Sequence, residues 1–409
     1  MDQETGGLRA EALALFRAGV AAADPHAAVI RALRDLPPPA GRQVVVGVGK
    51  AALRMTEAAL RVLGPVRALV VTNHENARPL DGATVFAAGH PVPDAAGARA
   101  AEAVIAAVSA LGAGDRLLAL ISGGGSALLP APAPGIALEE KAEVSRLLLA
   151  SGADIVEMNL VRQNLSRLKG GGMARLAAPA DVVALVLSDV VGDDLSVIAS
   201  GPTVPPAGSP QAAAETLRRL GLWNRVPASV RRHLETAAAA PDVPPTDTRL
   251  IGSNTLSLAA MSAMAPAAQV CPCPLVGDVA AAAAQIVATA RGPGVWLWGG
   301  ETTVTLRGDG TGGRNQELAL RVAVLARAAG WRGDWVFLSG GTDGRDGPTD
   351  AAGGLVDGGT LARMRAAGID PEARLERNDS YRALAAAGDL LKIGATGTNV
   401  ADLQVLIRR

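Results

Sequence analysis

Apolar positions along this chain follow two spacings. Short uninterrupted runs rich in Val, Leu and Ala occur at Gln43–Val48, Ala68–Thr72, Thr84–Ala88, Arg116–Ser122 and Val182–Ser188. Runs of that kind predict strands buried on both faces. Between them lie segments with helical spacing, at Glu11–Leu36, Lys50–Leu63, Ala95–Leu111, Leu138–Ser151 and Ile155–Leu168. Strand and helix in alternation predict a parallel sheet covered by helices, an α/β/α sandwich. A Pro-rich stretch (Pro202–Pro210), a helix (Gln211–Leu220) and a linker-like segment (Pro241–Thr248) follow. Beyond it the pattern restarts with a strand at Arg249–Ile251, a helix at Gly277–Ala290 and a strand at Val295–Trp298. A helix at Gln316–Ala329, a strand at Asp334–Ser339, short helices at Leu361–Ala367 and Ser380–Ala387 and a last strand at Leu403–Ile407 complete it. The reading is of two α/β domains, residues 1–245 and a smaller one over residues 246–409.

Composition sharpens this picture. The 409 residues suit two or three domains. Hydrophobic residues make up 49% but aromatics only 2%, so Ala, Val and Leu must build the cores. A formal net charge of zero argues against nucleic acid as the main partner. No apolar run is long enough to span a bilayer, and the start MDQETGGLRAEALALF carries acids where a signal peptide carries positive charge. A cytosolic protein without a membrane partner is expected. Cys271 and Cys273 have no further Cys or His at ligand spacing, so they do not read as a metal site. Only four basic residues are lysines, Lys50, Lys141, Lys169 and Lys392, and both Lys50 and Lys169 border glycine loops.

Candidate chemistry collects where strands end, the usual ligand side of open α/β sheets. The first run leads to Gly49-Lys50, within a Gly47-x-Gly49-x-x-Ala52 turn that fits the relaxed dinucleotide fingerprint. The fourth leads to Ser122-Gly123-Gly124-Gly125-Ser126, whose backbone amides could cradle an anion. The fifth leads to Ser188-Asp189, with Asp189 a candidate base or metal ligand. Asn159, Arg162, Asn164, Ser166 and Lys169 fall on or beside one helix, closed by Gly170 and Gly171. They read equally as a solvated face or as part of a site. In the second half, Trp298 leads to Gly299-Gly300-Glu301-Thr302 and Leu338 to Ser339-Gly-Gly-Thr-Asp343; Asn254 stands at another strand end. Gly312-Gly313-Arg314-Asn315-Gln316-Glu317 lies between, and its arginine offers a planar fork for phosphate or carboxylate. Glu301, Asp343, Asp346 and Asp350 are hard oxygen groups of the kind magnesium accepts. Neither a Walker A pattern nor a Ser-His-Asp arrangement occurs, and His90, in Gly-His-Pro-Val-Pro-Asp, reads as part of an ordered turn. Anion cradle, arginine and acids together point to chemistry on a phosphate.

Several long segments carry a resemblance: VVGVGKAALRM, GHPVPDAAG, LISGGGSALLPAP, NLVRQNLSRLKGGGMARL, LSDVVGDDLSVIASGPT, WGGETTVTLRGDGTGGRNQELAL, FLSGGTDGRDGPTDAAGG and TGTNVADL. The chain resembles the class of glycerate 2-kinases whose C-terminal half is the MOFRL domain. The resemblance implies a Rossmann-like domain plus a smaller α/β domain, with the active site in the cleft between them. It implies ATP, a divalent magnesium ion and D-glycerate as partners, with phosphoryl transfer to the 2-hydroxyl. The family's essential lysine and arginine fall on Lys50 and Arg314. The assignment drawn from it makes Lys50, Arg314 and Asp189 catalytic, and Gly49, Lys50, Arg314 and Asn315 substrate-binding. Ser122, Gly123, Gly124, Gly125, Ser126, Lys169, Gly170, Gly171 and Asn254 would take the nucleotide, and Asp189, Glu301 and Asp343 the metal. Where an acidic Gly-Glu-Ala stretch is expected, this chain has Leu275-Val-Gly-Asp-Val-Ala. Some members of the family carry the label hydroxypyruvate reductase, so a nicotinamide-dependent reductase is the rival reading, and a nucleotide-binding protein without turnover a further one. Exposed apolar faces would support a homodimer.

Overall fold

The computed structural model describes residues 3–409, in two compact units. Residues 25–251 form one, and residues up to Asp24 together with 252–409 form the other.

The first unit is built on a six-stranded sheet. Its strands are β1 (Gln43–Val48), β2 (Arg67–Asn73), β3 (Ala83–Ala88), β4 (Arg116–Ile121), β5 (Asp181–Leu187) and β6 (Thr246–Gly252), in the order β3-β2-β1-β4-β5-β6. The pairings β1–β2, β2–β3, β1–β4 and β4–β5 are all parallel. β4 is buried at every position, as its apolar run demands. The strand order reverses between β1 and β4, and it is the order of dinucleotide-binding sheets. On one face Val46, Leu69, Leu117 and Val182 meet the helix Ala95–Val108 through Ala100, Val104 and Val108. Small side chains let helix and sheet approach closely: a Cβ at Gly47 would collide with Thr56 Oγ1 of the helix Ala52–Leu63. The helices Leu138–Ala150, Ile155–Asn164, Pro210–Arg219 and Ala228–Thr236 gather around a separate apolar cluster that includes Val144, Leu148, Val161, Leu217 and Leu234.

The second unit holds a mixed sheet. Its strands are β7 (Gln269–Val270), β8 (Leu275–Asp278), β9 (Gly294–Thr303), β10 (Trp335–Gly341), β11 (Gly353–Asp357), β12 (Leu390–Leu391) and β13 (Asp402–Arg408). The order is β12-β11-β10-β13-β9-β7, with β8 also pairing β9. β13 lies antiparallel between β9 and β10. One face packs Trp296, Trp298 and Phe337 against the helices Val279–Thr289 and Arg314–Ala328. The other packs Val336, Leu338, Leu403 and Val405 against Leu8, Leu15 and Phe16 of the helix Gln3–Ala22 and Met261 of the helix Asn254–Met264.

Three expectations need correction. The boundary does not fall at 245/246 with the N-terminus in the first domain. β6 completes the first sheet beside β5, and residues 3–24 belong with the second unit, where the apolar face of their helix covers the sheet. Arg9 of that helix also pairs with Asp357 and Asp389, both buried. The segment Glu11–Leu36 is two helices, Gln3–Ala22 and Pro25–Leu33. Gly299-Gly300-Glu301-Thr302 and Ser339-Gly340-Gly341 are not loops after strands but continue β9 and β10. Glycine is needed at 300 because φ is 150° and a Cβ would run into the Leu275 carbonyl of β8.

The helix Arg314–Ala328 has no side-chain cap from its own N-cap, Gly313. Asp346 supplies one from the loop after β10, accepting from the amides of Asn315 (3.1 Å) and Gln316 (2.9 Å) and from Gln316 Nε2 (3.0 Å). Asp346 is buried, and burial pushes its carboxyl up to about 6 against those bonds, with Asp402 adding to the rise. Below its ordinary value of 3.8 this group is protonated in both folded and unfolded chains; above about 6 it is ionised in both. Between them the fold holds a proton that the unfolded chain has lost, so its contribution to stability is greatest at the acid end and falls as pH rises. Comparing wild type with Asp346→Asn by urea unfolding from pH 4 to pH 7 is expected to isolate a decline on the order of 3 kcal/mol. A difference independent of pH would contradict the assignment.

Candidate active site

In the first unit the loops after β1 and β4 are in direct contact. The Lys50 amide donates to Gly123 O (2.9 Å), and the Ala51 amide donates to Ser122 Oγ (3.1 Å), which itself donates to Val48 O (3.3 Å). Gly49 has φ 120°, and a Cβ there would overlap Ser122. Gly123 is equally constrained, since a Cβ would strike the carboxylate of Asp189. Gly124, with φ 85°, faces the His90 ring and the Lys50 stem; a Cβ would lie 3.3 Å from both His90 Nε2 and Lys50 Cγ. The triple glycine thus gathers Lys50, His90 and Asp189 around one stretch of bare backbone. Among the described residues, the amides of Gly123, Gly124 and Gly125 donate to no other backbone group. Burial raises the Asp189 carboxyl, with its own backbone amide and Lys50 acting against the rise. Burial lowers the His90 imidazole, and the Lys50 charge lowers it further.

Beside this stretch, Ser126 Oγ lies 2.6 Å from Ser200 Oγ, and Ser200 Oγ donates to Asn159 Oδ1 at 2.8 Å. Lys169 is buried, its Nζ donating to Ser126 O at 2.7 Å. Burial, and secondly the charge of Arg162, push its ammonium down to about 7.

The second unit carries its own charged group. Arg314, at the start of its helix, binds buried Asp402 through Nε (2.7 Å) and Nη2 (3.0 Å), and its Nη1 lies 2.9 Å from Glu301 Oε1. Burial would weaken the guanidinium as a cation, but the Asp402 bond and charge outweigh it and drive its pKa up. A guanidinium has five N–H groups; the two bonded to Asp402 fix the plane, and others stay open on a side chain 34% exposed.

Several residues expected to bind ligand are engaged in holding the fold. The Ser122 hydroxyl is buried and ties the two loops together. The amides of Gly170 and Gly171 donate to Ser200 O and Gly201 O, which positions the Ser200 loop. Asn315 is buried, its Oδ1 accepting from Ser339 Oγ (2.6 Å) and its amide turned to Asp346. Asn254 donates to the carbonyls of Val400 and Asp402, both at 2.9 Å, and so fixes the residue that anchors Arg314. The Gly47–Ala52 turn matches a dinucleotide fingerprint in letters only, because the amides of Gly49, Lys50 and Ala51 are bonded to Val71 O, Gly123 O and Ser122 Oγ. Among the described residues no group of three or more His, Cys, Asp or Glu side chains stands at metal-binding range. Asp189, Glu301 and Asp343 therefore form no protein-built cage; Glu301 pairs with Arg314, and Asp343 accepts from the Arg345 amide. Spacing on the Ile155–Asn164 helix had marked Asn159 and Arg162, whereas nothing local marked Ser200, which a strained turn presents: Ala199 and Ser200 have φ 51° and 59°.

The chain matches a domain of unknown function, DUF4147, over residues 11–235 and the MOFRL family over residues 294–402. A D-glycerate 2-kinase of Thermotoga maritima is 40% identical, with 97% of each chain covered. An Agrobacterium vitis protein with the provisional name hydroxypyruvate reductase is 43% identical over 96% of this chain and 93% of its own. The crystal structure of glycerate kinase from Thermotoga maritima superposes with a TM-score of 0.92 at 39% identity, covering 99% of this chain and 100% of that one. Among the described residues no single helix is long and apolar enough to cross a membrane. With the sheet order, the two charged groups and these likenesses in agreement, the chain belongs to the glycerate kinase family that carries the MOFRL domain.

Proposed function

We propose that the protein transfers the γ-phosphoryl group of ATP to the 2-hydroxyl of D-glycerate, giving 2-phosphoglycerate and ADP. The observation that carries this reading is the bare Gly123–Gly125 backbone with Lys50 and Asp189 at its side, at the point where the sheet order reverses. Phosphoryl transfer needs positioning and neutralised charge more than covalent help. Three amides with no backbone acceptor suit phosphate oxygens, and the Lys50 ammonium adds a point charge. Asp189 takes the proton of the attacking hydroxyl; burial, which raises its carboxyl, makes it a stronger base than a solvated carboxylate. Arg314, held by Asp402, brings a charge whose direction is set before substrate arrives. Magnesium commonly binds through one or two carboxylates together with substrate phosphates. The donors here suit that mode, with Asp189 as the acid beside the glycine backbone, and the ion would neutralise phosphate charge.

The reductase reading loses its main support in the closed Gly47–Ala52 turn, whose amides have no room for a pyrophosphate. With ATP, magnesium and D-glycerate, phosphorus NMR is expected to show a product phosphorylated on carbon 2, and NADH with hydroxypyruvate should stay unconsumed. Phosphate on carbon 3, or oxidation of NADH, would overturn the proposal.

The bond between Arg314 and Asp402 serves fold and chemistry together, and a pair of variants separates the two. Arg314→Ala should lower turnover roughly 10³-fold, by analogy with loss of an arginine finger, and should cost about 3 kcal/mol by leaving Asp402 buried and unpaired. Adding Asp402→Asn should return most of the stability and none of the turnover, read by urea midpoint and initial rate. Recovery of activity in the double variant would show that Arg314 acts only as a structural partner.

A further inference from the structure

The helix Ile155–Asn164 brings one unusual side chain to the Ser126–Ser200 hydroxyl pair and carries a second one turn further on. Asn159 is 2% exposed; its Oδ1 accepts from Ser200, and its Nδ2 has no partner among the described residues. A buried amide group left without an acceptor costs about 1–3 kcal/mol, so its persistence calls for a ligand or ordered solvent. One turn on, Arg162 forms no hydrogen bond or ion pair among the described residues, although burial weakens it as a cation. Lys169 is close enough to feel the Arg162 charge and is itself buried, with a single hydrogen bond, to Ser126 O. Most other half-buried arginines here do have acids: Arg9, Arg314, Arg363 and Arg374 all pair with Asp. Two nearby cations repel, and burial removes the water that would screen them.

We propose that Asn159, Arg162 and Lys169, closing around the Ser126–Ser200 pair, form an oxyanion pocket distinct from the Gly123–Gly125 backbone and filled during the reaction by a second anionic group. The chemistry is that of a planar or tetrahedral oxyanion. It accepts from the guanidinium, the ammonium and the Asn159 amide, and the two cations supply the countercharge. The Ser200 proton is committed to Asn159, so Ser126 donates to Ser200 and keeps its lone pairs for a donor on the ligand. This deepens the kinase reading and rests on it for the identity of the anion, which is either the carboxylate of the hydroxy acid or a phosphate of the nucleotide. The strained Ala199–Ser200 turn and the Gly170 and Gly171 amides that brace it position the hydroxyl.

Isothermal titration of the whole protein with ADP, with D-glycerate and with inorganic phosphate, wild type against Arg162→Gln, tests the pocket. Either ADP or D-glycerate is expected to bind roughly 10- to 100-fold more weakly to the variant, the range for a lost charge-assisted hydrogen bond, and phosphate should weaken with it. Weakening confined to D-glycerate assigns the carboxylate; weakening confined to ADP assigns the nucleotide. Unchanged affinity for all three, with the variant folded by circular dichroism, overturns the pocket. Arg162→Lys, which keeps the charge and loses the fork, is run beside it and should recover part of the affinity. If the glutamine variant does not fold, equal binding by wild type and the lysine variant overturns the proposal. Turnover by the wild type is a separate assay, so the kinase reading can fail while the pocket stands, and the reverse.

Discussion

The contact between the loops after β1 and β4 is the constraint on which the rest of the first unit depends. Gly49 sits so close to Ser122 that position 49 tolerates no side chain, and Ser122 uses its hydroxyl to bridge the two loops. That closeness does two things at once. It consumes the amides of the first glycine turn, which removes the site a dinucleotide would use. It also sets the second glycine run beside Lys50, His90 and Asp189.

The second unit reaches a comparable result by other means. Its sheet is mixed, and its charged centre is a single arginine whose orientation is fixed by a buried carboxylate. The carboxylate is held in turn by Asn254, which bonds to the backbone of Asp402, and the helix start is capped by Asp346. Each support is itself buried or bonded, the arrangement that keeps a guanidinium preorganised and spares it reorganisation at the moment of reaction. Both units thus present cations whose neighbours, not their own flexibility, decide where they point.

Much of this was legible in the chain. Uninterrupted apolar runs located β1 to β5, and the Gly-Lys and triple-glycine segments are the two loops that the structure brings into contact. Membership of the first helix was not legible, because an amphipathic face does not say which sheet it will cover. The glycines at 299 and 300 read as the end of a strand, since their real causes, the close approach of Asn254 and of β8, are tertiary. Asn254, Asn315 and Ser122 looked like ligand groups because polar residues at strand ends often are. The three-dimensional hydrogen bonds show Ser122 and Asn254 holding backbone and Asn315 bonded to Ser339 and Asp346. Arg162 shows the opposite case: a helix face that could pass for solvated carries a cation without an acid.

The central claim is that Lys50, beside the bare glycine backbone, acts directly on the phosphoryl group in flight. Rapid-quench single-turnover measurement with γ-labelled ATP and D-glycerate, comparing wild type with Lys50→Ala, addresses it most directly. The Lys50 side chain is exposed, so its removal should leave the melting temperature unchanged. Label transfer is expected to slow by roughly 10³-fold or more. Transfer at the wild-type rate by the folded variant would contradict the account.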